Sequence, residues 1–113
     1  MNDKSNYVAF VDKKLEEAFN TLKEGHFEDK QLYKFIERAK QDLLENPLKA
    51  GVRIQRKLIP QEYVQKYSIS SLWKYDLPNA WRLLYTIVGD EIKIVSIILE
   101  WMTHKEYERR FNY

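Results

Sequence analysis

The stretch that most constrains the fold spans residues 72–107 and reads LWKYDLPNAWRLLYTIVGDEIKIVSIILEWMTHKEY. Over residues 80–88, bulky apolar side chains occupy every second position, which is the period of a strand with two different faces. Gly89-Asp90 follows directly, and glycine adopts the positive φ that a tight hairpin turn requires. The pattern therefore predicts two antiparallel strands joined by a two-residue turn at Gly89-Asp90.

The two strands of this hairpin share a strongly apolar face. With a two-residue turn, Ile87 lies opposite Ile92, and one face of the hairpin becomes a core. The predicted members of that face are Trp81, Leu83, Tyr85, Ile87, Ile92, Ile94 and Ile98. The second strand also becomes apolar on its other side toward Trp101, which strict alternation places with Arg82. A strand that is apolar on both faces is expected to be central in its sheet.

A third strand, residues 72–77, precedes this hairpin and must pair with its first strand. A two-residue loop between them would place Lys74 and Asp76 among the core aromatics, where unpaired charges cost several kcal/mol. A three-residue loop, Pro78-Asn79-Ala80, instead directs the aromatic side chains of this strand to the core. We predict that register, with Asn79 or Ala80 in any left-handed conformation. It places Lys74, Asp76 and Arg82 together on the opposite face.

A helix start follows the last strand. Thr103 and Glu106 have the spacing of a capping box, and Met102 and Tyr107 have the spacing of a hydrophobic staple. His104 would be the first residue of this terminal helix, beside a partly positive helix end that favours a neutral imidazole. Histidine exchanges protons near neutral pH, so His104 is a candidate acid or base beside the polar face.

The first half of the chain predicts one strand and two helices. Residues 7–11 form a short strand pattern, and Asp12 is a suitable N-cap for the helix after it. Apolar residues at helical spacing define an antiparallel helical hairpin that we expect to pack on the sheet. They are Leu15, Ala18, Phe19 and Leu22 in a helix ending near Gly25, and Leu32, Phe35, Ile36, Ala39 and Leu43 in a helix running from about Glu28 to Asn46-Pro47.

Composition excludes several kinds of site. The chain has no cysteine and two histidines, so disulfides, thiolate metal sites and cysteine nucleophiles are ruled out, and zinc would need carboxylate ligands. The 113 residues, 44% of them apolar, suit a single domain over 1–113. No apolar run approaches the ~20 residues that cross a bilayer, and the first residues lack a signal-peptide pattern. We therefore expect a cytoplasmic protein with no metal, no cofactor and no membrane partner.

Positive charge concentrates in the second half. Residues 1–47 hold 8 Lys/Arg and 10 Asp/Glu, whereas residues 48–113 hold 11 and 7. Residues 48–71 give only a weak structural pattern, with a hint of extension near Gly51 and of a helical turn at Pro60. Their arginines and lysines, together with Lys74, suit a phosphate backbone. A charge cluster taken alone is nevertheless more often a solvated surface.

Two segments of the chain resemble the RelE/ParE superfamily of type II toxin–antitoxin toxins: they read WRLLYTIVGDEIKIVSII and THKEYERRF. In that family a strand reading aromatic-Arg-aliphatic-aliphatic-Tyr precedes a hydrophobic strand and a short segment with His, Arg or Tyr. The His-x-x-Tyr ending is similar to the ribonuclease members of the YoeB, YafQ and HigB type. The resemblance covers residues 72–107 closely and residues 7–47 mainly in element order. It departs from the RelE pattern at Trp101-Met102, where a catalytic arginine is missing, and at Asp76, where a second basic residue often stands.

The resulting prediction is an α+β fold with an N-terminal strand, a two-helix hairpin, an antiparallel three-strand meander and a C-terminal helix. By resemblance, the first strand joins the sheet, and the function is a metal-independent endoribonuclease toxin. It would act on messenger RNA, free or on the ribosome, and a small antitoxin protein would be its partner. Cleavage without a metal is feasible because the RNA 2′-hydroxyl is an internal nucleophile.

Roles for individual residues follow from that chemistry. Arg82 would bind phosphate oxygens with its planar fork, and His104 would transfer a proton. Asp76 would orient Arg82 or act as the other proton-transfer partner, and Tyr107 would stack on a base or donate to phosphate. The candidate RNA-binding residues are Lys74, Arg53, Arg56 and Lys57.

Each catalytic candidate also has a purely structural interpretation. Asp76 and Arg82 can form a simple cross-strand ion pair, Tyr107 can be a staple residue, and His104 can be a solvated residue at a helix start. At the level of function, one alternative is a non-catalytic RelE/ParE-fold protein that acts by binding, such as a topoisomerase-inhibiting toxin or an inactive relative. Another is an RNA-binding domain that does not cleave.

Overall fold

Five strands form one mixed sheet in the computed structural model, which describes residues 4–111. They are β1 (Ser5–Phe10), β2 (Val52–Arg53), β3 (Trp73–Leu77), β4 (Trp81–Gly89) and β5 (Lys93–Thr103). The order across the sheet is β1-β5-β4-β3-β2, with β1 parallel to β5 and all other neighbours antiparallel. The α+β class and the central position of β5 are confirmed. The predicted three-strand meander gains β2 as a fourth antiparallel member.

Five α-helices accompany this sheet within residues 4–111. They are α1 (Lys13–Thr21), α2 (Phe27–Glu45), α3 (Pro47–Ala50), α4 (Gln61–Tyr67) and α5 (His104–Phe111), with 3₁₀ turns at Leu22–Glu24 and Arg56–Leu58. The Asp12 side chain accepts the N–H of Leu15 at 2.8 Å and caps α1, as predicted. α2 ends at Glu45 with Asn46 as its C-cap, because the residue before Pro47 resists helical geometry.

One face of the sheet carries α1 and α2, and we call it the α2 face. The buried residues of this face are Phe19, Leu32, Ile36, Ala39, Leu43, Leu77, Leu83, Tyr85 and Ile98. Trp73, Tyr75 and Trp81 pack against them, so the strand aromatics are core residues, as predicted. Full burial of each large apolar side chain stabilises the fold by roughly 1.5–3 kcal/mol. Ala18, which we expected on the buried stripe of α1, is exposed.

The opposite face carries α4 and α5, and we call it the α5 face. Its buried residues are Ile54, Tyr63, Leu72, Leu84, Leu99, Met102, Tyr107 and Phe111. The sheet is therefore covered on both faces. Polar residues predicted to share a face with Arg82 consequently lie beside a second apolar cluster instead of on an open sheet.

The three-residue loop between β3 and β4 is confirmed. Trp73 lies opposite Tyr85, and Asp76 lies opposite Arg82. Asn79 and Ala80 both adopt positive φ, at 60° and 61°. Because partners in an antiparallel pair share a face, the polar side chains of β3 and β4 meet on the α5 face.

The short strand β2 extends the sheet beyond β3 by a close backbone approach at Gly51. A Cβ atom at this position would collide with the carbonyl oxygen of Lys74 and the hydroxyl of Tyr85. Glycine alone lets the chain pass this close, and Val52 then pairs opposite Lys74.

The connection between β4 and β5 is longer than the predicted two-residue turn, and the predicted register is wrong. Ile87 lies opposite Ser96 instead of Ile92. The Asp90 carboxylate accepts the N–H groups of Ile92 and Lys93 at 2.7 and 2.9 Å, which satisfies the loop backbone. Ile92 is 76% exposed in this loop, so its predicted place in the core is also wrong. The residue opposite Ile87 is displaced by an even number of positions. The side chains of β5 as far as Ile98 therefore point to the predicted faces.

A β-bulge changes the alternation near the end of β5. Leu99 is the extra residue, because the register with β4 shifts by one position there. Past the bulge, Trp101 packs on the α2 face and Met102 lies opposite Arg82 on the α5 face. Strict alternation would have placed Trp101 beside Arg82, so that expectation is wrong.

Candidate functional site

Polar side chains from two strands and one helix meet on the α5 face. β3 contributes Lys74 and Asp76, β4 contributes Arg82, and α5 contributes His104 and Glu108. We call these five residues the polar cluster. The sheet register brings them together, because Asp76 lies opposite Arg82 and Arg82 lies opposite Met102, two residues before α5 begins.

The start of α5 is fixed by its backbone. The N–H of His104 donates to the carbonyl oxygen of Ala80 at 2.7 Å. The Thr103 hydroxyl accepts the N–H of Glu106 at 3.3 Å, which is one half of the predicted capping box. The Glu106 carboxylate pairs with Arg110 further along the helix. His104 is therefore the first residue of α5, as predicted, and its position is set by the β3–β4 turn.

Arg82 is the centre of the polar cluster. Its side chain is only 16% exposed, and its Nε lies 3.0 Å from Oδ1 of Asp76. Its Nη1 donates to the carbonyl oxygen of Trp81 at 3.1 Å, and its Nη2 lies 2.9 Å from Nδ1 of His104. Nη1 and Nη2 thus have hydrogen-bond partners, whereas Nε lies within ion-pair distance of Asp76 without the geometry of a hydrogen bond. A phosphate can reach Arg82 through its remaining N–H groups or by replacing Asp76.

Asp76 forms ion pairs with two cations at once. Its Oδ1 accepts from Nζ of Lys74 at 3.3 Å as well as contacting Arg82. Its own side chain is 56% exposed, so water or a ligand can compete for it. The carboxylate occupies the position that an anionic ligand of Lys74 and Arg82 would take.

His104 has a second partner that the sequence reasoning missed. Its Nε2 lies 2.9 Å from Oε1 of Glu108, and both side chains are 44% exposed. Glu108 stands four residues after His104, a spacing at which helical side chains are neighbours. This four-residue spacing was the sequence signal that could have identified Glu108 as a partner of His104. With Glu108 included, the cluster contains two cations and two carboxylates around one imidazole.

Tyr107 lies beneath the polar cluster instead of on its surface. Its side chain is 2% exposed, and its ring stacks on Phe111 with centroids 4.4 Å apart. The Nζ of Lys74 lies 5.7 Å from the centre of the same ring. This burial favours the packing role that the sequence left open, and it leaves little surface for a nucleotide.

The other basic candidates are dispersed. Arg53 lies opposite Trp73 in the β2–β3 pair, so its side chain is directed to the α2 face, away from the polar cluster. Arg56 and Lys57 are exposed in a separate 3₁₀ turn. Of the predicted RNA-binding set, the structure brings only Lys74 into contact with the polar cluster.

A second polar group on the α5 face was not predicted. The Nη1 of Arg110 donates to Glu100 at 2.6 Å and to the Tyr63 hydroxyl at 3.1 Å, beside a cavity of about 210 Å³. Burial, followed by the hydrogen bond to Glu100, raises the pKa of Tyr63. Burial acts to lower the pKa of Arg110, but the hydrogen bonds with Tyr63 and Glu100 outweigh it and raise the pKa. This group joins α4, β5 and α5, and every member has a protein partner.

Among residues 4–111, no three His, Cys, Asp or Glu side chains come together in a way that could hold a metal ion. In the same part of the chain, no helix combines the length and apolar character needed to span a membrane. Comparisons with models of known families, with curated proteins and with solved structures find no match to this chain.

Proposed function

We propose that this chain is a toxin of the RelE type that cleaves messenger RNA without a metal ion. The observation that carries the proposal is the 2.9 Å contact between Arg82 and His104. It pairs a fixed cation with a proton-exchanging group at the two positions that the family resemblance assigns to chemistry. The α+β architecture and the N-terminal strand beside β5 also agree with that family.

The proposed reaction uses the RNA as its own nucleophile. The 2′-oxygen attacks the adjacent phosphorus, the new 2′-O–P bond forms, and the bond from phosphorus to the 5′-oxygen breaks. His104 accepts the proton of the 2′-hydroxyl, and the departing 5′-oxygen takes a proton from solvent. Arg82 and Lys74 stabilise the negative charge that builds on the phosphoryl oxygens.

Asp76 has a defined place in this scheme. Before RNA binds, its carboxylate keeps the side chains of Arg82 and Lys74 together at 3.0 and 3.3 Å. The substrate phosphate then competes with this half-exposed carboxylate for the same donors. Asp76 therefore sets the geometry of the phosphate site and moves aside when that site is filled.

The proposed partners follow from exposure and charge. Arg56 and Lys57 are exposed and close in sequence to β2, so they are available to the RNA backbone outside the polar cluster. The proposed regulator is a small antitoxin protein that covers the α5 face. Messenger RNA, free or on the ribosome, is the proposed substrate.

A second candidate, a non-catalytic RelE/ParE-fold protein that acts by binding, is favoured by a different observation. Both ring nitrogens of His104 lie 2.9 Å from protein groups, in Arg82 and in Glu108. A fully partnered histidine of this kind is also the arrangement of a structural polar network.

Expression in a bacterial host separates the two candidates. An active ribonuclease toxin should arrest growth and fragment messages, and a combined Arg82→Ala and His104→Gln variant should do neither. Arg109→Ala is the matched control, because its side chain is 76% exposed and pairs with Glu106, outside the polar cluster. Growth arrest that survives in the double variant would support the binding protein. Normal growth with intact messages, under strong expression of the folded parent, would contradict a toxin of either kind.

A further inference from the structure

We infer that Glu108 is a positioning residue for His104. It holds the imidazole as the tautomer with its proton on Nε2, so that the lone pair of Nδ1 is directed at Arg82 and the phosphate site. The consequence for cleavage rests on the proposed function, whereas the assignment of the tautomer rests on geometry alone.

The tautomer follows from the donors and acceptors on the two sides of the ring. A guanidinium is always protonated and has five N–H donors but no acceptor. Since Nη2 of Arg82 lies 2.9 Å from Nδ1, Nδ1 must be the acceptor of that hydrogen bond. A neutral imidazole has one N–H, which is therefore on Nε2.

Glu108 independently requires the same tautomer. An ionised carboxylate only accepts hydrogen bonds, and Oε1 of Glu108 lies 2.9 Å from Nε2. The two contacts come from different elements, β4 and α5, and they agree on where the proton is. A proton on Nδ1 would oppose a donor to a donor at Arg82 and an acceptor to an acceptor at Glu108.

His104 is consequently held at three points, two of them on its ring. The backbone N–H of His104 is bonded to Ala80, Nδ1 to Arg82 and Nε2 to Glu108. Helical geometry keeps Glu108 beside His104 without any help from the rest of the chain. Fixing the ring in this way removes most of its rotational freedom before a substrate arrives.

This arrangement assigns each ring nitrogen a different task. In the resting site, Arg82 occupies the lone pair of Nδ1. When a phosphate draws Nη2 of Arg82 away, that lone pair becomes available to the 2′-hydroxyl. One proton then moves from the 2′-oxygen to Nδ1, and Nε2–H stays hydrogen-bonded to Glu108. No proton passes to Glu108, whose negative charge stabilises the imidazolium that forms.

Nitrogen NMR of the imidazole ring tests the tautomer without any assay of activity. The experiment uses the full chain labelled with ¹⁵N in its two histidines, and a His26→Asn variant identifies the other signal. We expect Nε2 of His104 to be protonated and Nδ1 to be unprotonated at neutral pH, in the parent and in Glu108→Gln. In Glu108→Ala, the Nε2–H proton should exchange faster with water. A proton found on Nδ1 in the parent would overturn the inference.

Single-turnover cleavage tests the consequence for chemistry. Glu108→Gln keeps a hydrogen-bond acceptor but loses the charge, so it should slow the chemical step by roughly 10–100-fold, the range for carboxylates that orient a metal-bound histidine. RNA affinity should not change, and Glu108→Ala should be slower still. Glu62→Gln removes the same charge from an exposed glutamate of α4 and should cleave at the parent rate.

The two possible failures are distinguishable. A parent that cleaves RNA, together with both Glu108 variants cleaving at its rate, would overturn the role of Glu108 and leave the proposed function standing. A folded parent that cleaves no RNA would end the proposed function and with it the chemical role. In that case the ring-nitrogen signals would still support or refute the tautomer.

Discussion

The backbone N–H of His104 donates a 2.7 Å hydrogen bond to the carbonyl oxygen of Ala80, the last residue of the β3–β4 turn. Arg82 follows Ala80 by two residues, and its guanidinium contacts the His104 ring at 2.9 Å. The two candidate catalytic side chains are therefore connected twice, once through the backbone and once through their own atoms. The geometry of the turn sets the geometry of the site.

Ala80→Gly should stabilise the fold. Ala80 has a φ of 61°, where an L-residue pays roughly 1–2 kcal/mol, and glycine removes that cost at a smaller loss of chain entropy. We expect a net gain of about 0.5–1 kcal/mol in the free energy of unfolding, measured with urea. Ala18→Gly, the same change at an exposed position inside α1, should instead lose about 1 kcal/mol. Equal losses in both variants would contradict strain at Ala80.

Arg82→Ala should reduce single-turnover RNA cleavage by ~10²–10³, the usual cost of losing one stabiliser of transition-state charge. Arg82→Lys should recover part of the rate, because it restores the charge but not the planar fork. Circular dichroism of each variant checks that the sheet remains folded when the ion pair between Asp76 and residue 82 is changed. Equal rates for Arg82→Lys and the parent would show that the fork is not used.

His104→Gln should slow the chemical step by ~10²–10⁴ while RNA binding stays nearly intact, because glutamine cannot exchange protons near neutrality. Rates measured at saturating enzyme, beside binding measured with a 2′-deoxy substrate analogue, separate the two effects. An unimpaired variant would remove His104 from the chemistry and leave Arg82 as a binding residue.

Cleavage of a synthetic RNA oligonucleotide should persist in excess chelator. The proposed reaction assigns charge stabilisation to Arg82 and Lys74 and proton transfer to His104, so it has no step for a divalent ion. Parallel reactions with chelator alone and with chelator followed by excess magnesium make the comparison. Activity that returns only with magnesium would contradict the proposed chemistry.

Alkaline pH above about 10 should destabilise the fold. Burial and a hydrogen bond to Asp42 raise the pKa of Tyr75 to about 12, and burial raises the pKa of Tyr85 to about 12, against an ordinary value of 10.0. Their contribution to stability is complete below pH 10 and is lost as the pH rises toward 12, because the unfolded chain ionises first. Urea unfolding at pH 8, 10 and 11.5 measures the decline, which Tyr75→Phe should reduce. An unchanged unfolding free energy would contradict the raised pKa values.

Charge and local capping made part of this fold predictable. Lys74 and Asp76 exclude one register of β3, because that register would bury both charges, and the remaining register is the observed one. The start of α5 was predictable because a Thr103 cap is a local interaction between residues three positions apart. Such features depend on residues that are close in sequence, so the sequence alone reveals them.

The errors concern interactions that the local pattern does not determine. Gly89 suggested a tight turn, but the Asp90 side chain organises a longer loop through two backbone N–H groups. The strand β2 has two residues, too few for any period to be visible. Arg53 was grouped with Lys74 by charge, whereas the pairing of β2 with β3 directs it to the other face.

The candidate site was predictable in its strand residues but not in its full membership. Arg82 and Asp76 were found because alternation places them on one face. Glu108 was missed although its distance from His104 in sequence was visible, because helical spacing alone does not distinguish a partner from a solvated glutamate. The burial of Tyr107 depends on Phe111 and on α4, and neither contact follows from the staple pattern.

The additional residue Leu99 determines the face of the sheet on which the end of the chain packs. Successive side chains of a strand point to alternate faces of the sheet. One additional residue therefore reverses the face of every side chain that follows it. Without that step, the side chain of Met102 would point toward the layer already filled by α1 and α2, and the helix after it would approach from the wrong side. His104 contacts Arg82 because the bulge at Leu99, five residues earlier, changes the face to which the following residues point. A one-residue deletion at the bulge would therefore disturb the packing around Leu99 less than the packing at the far end of the strand. There it would separate His104 from Arg82.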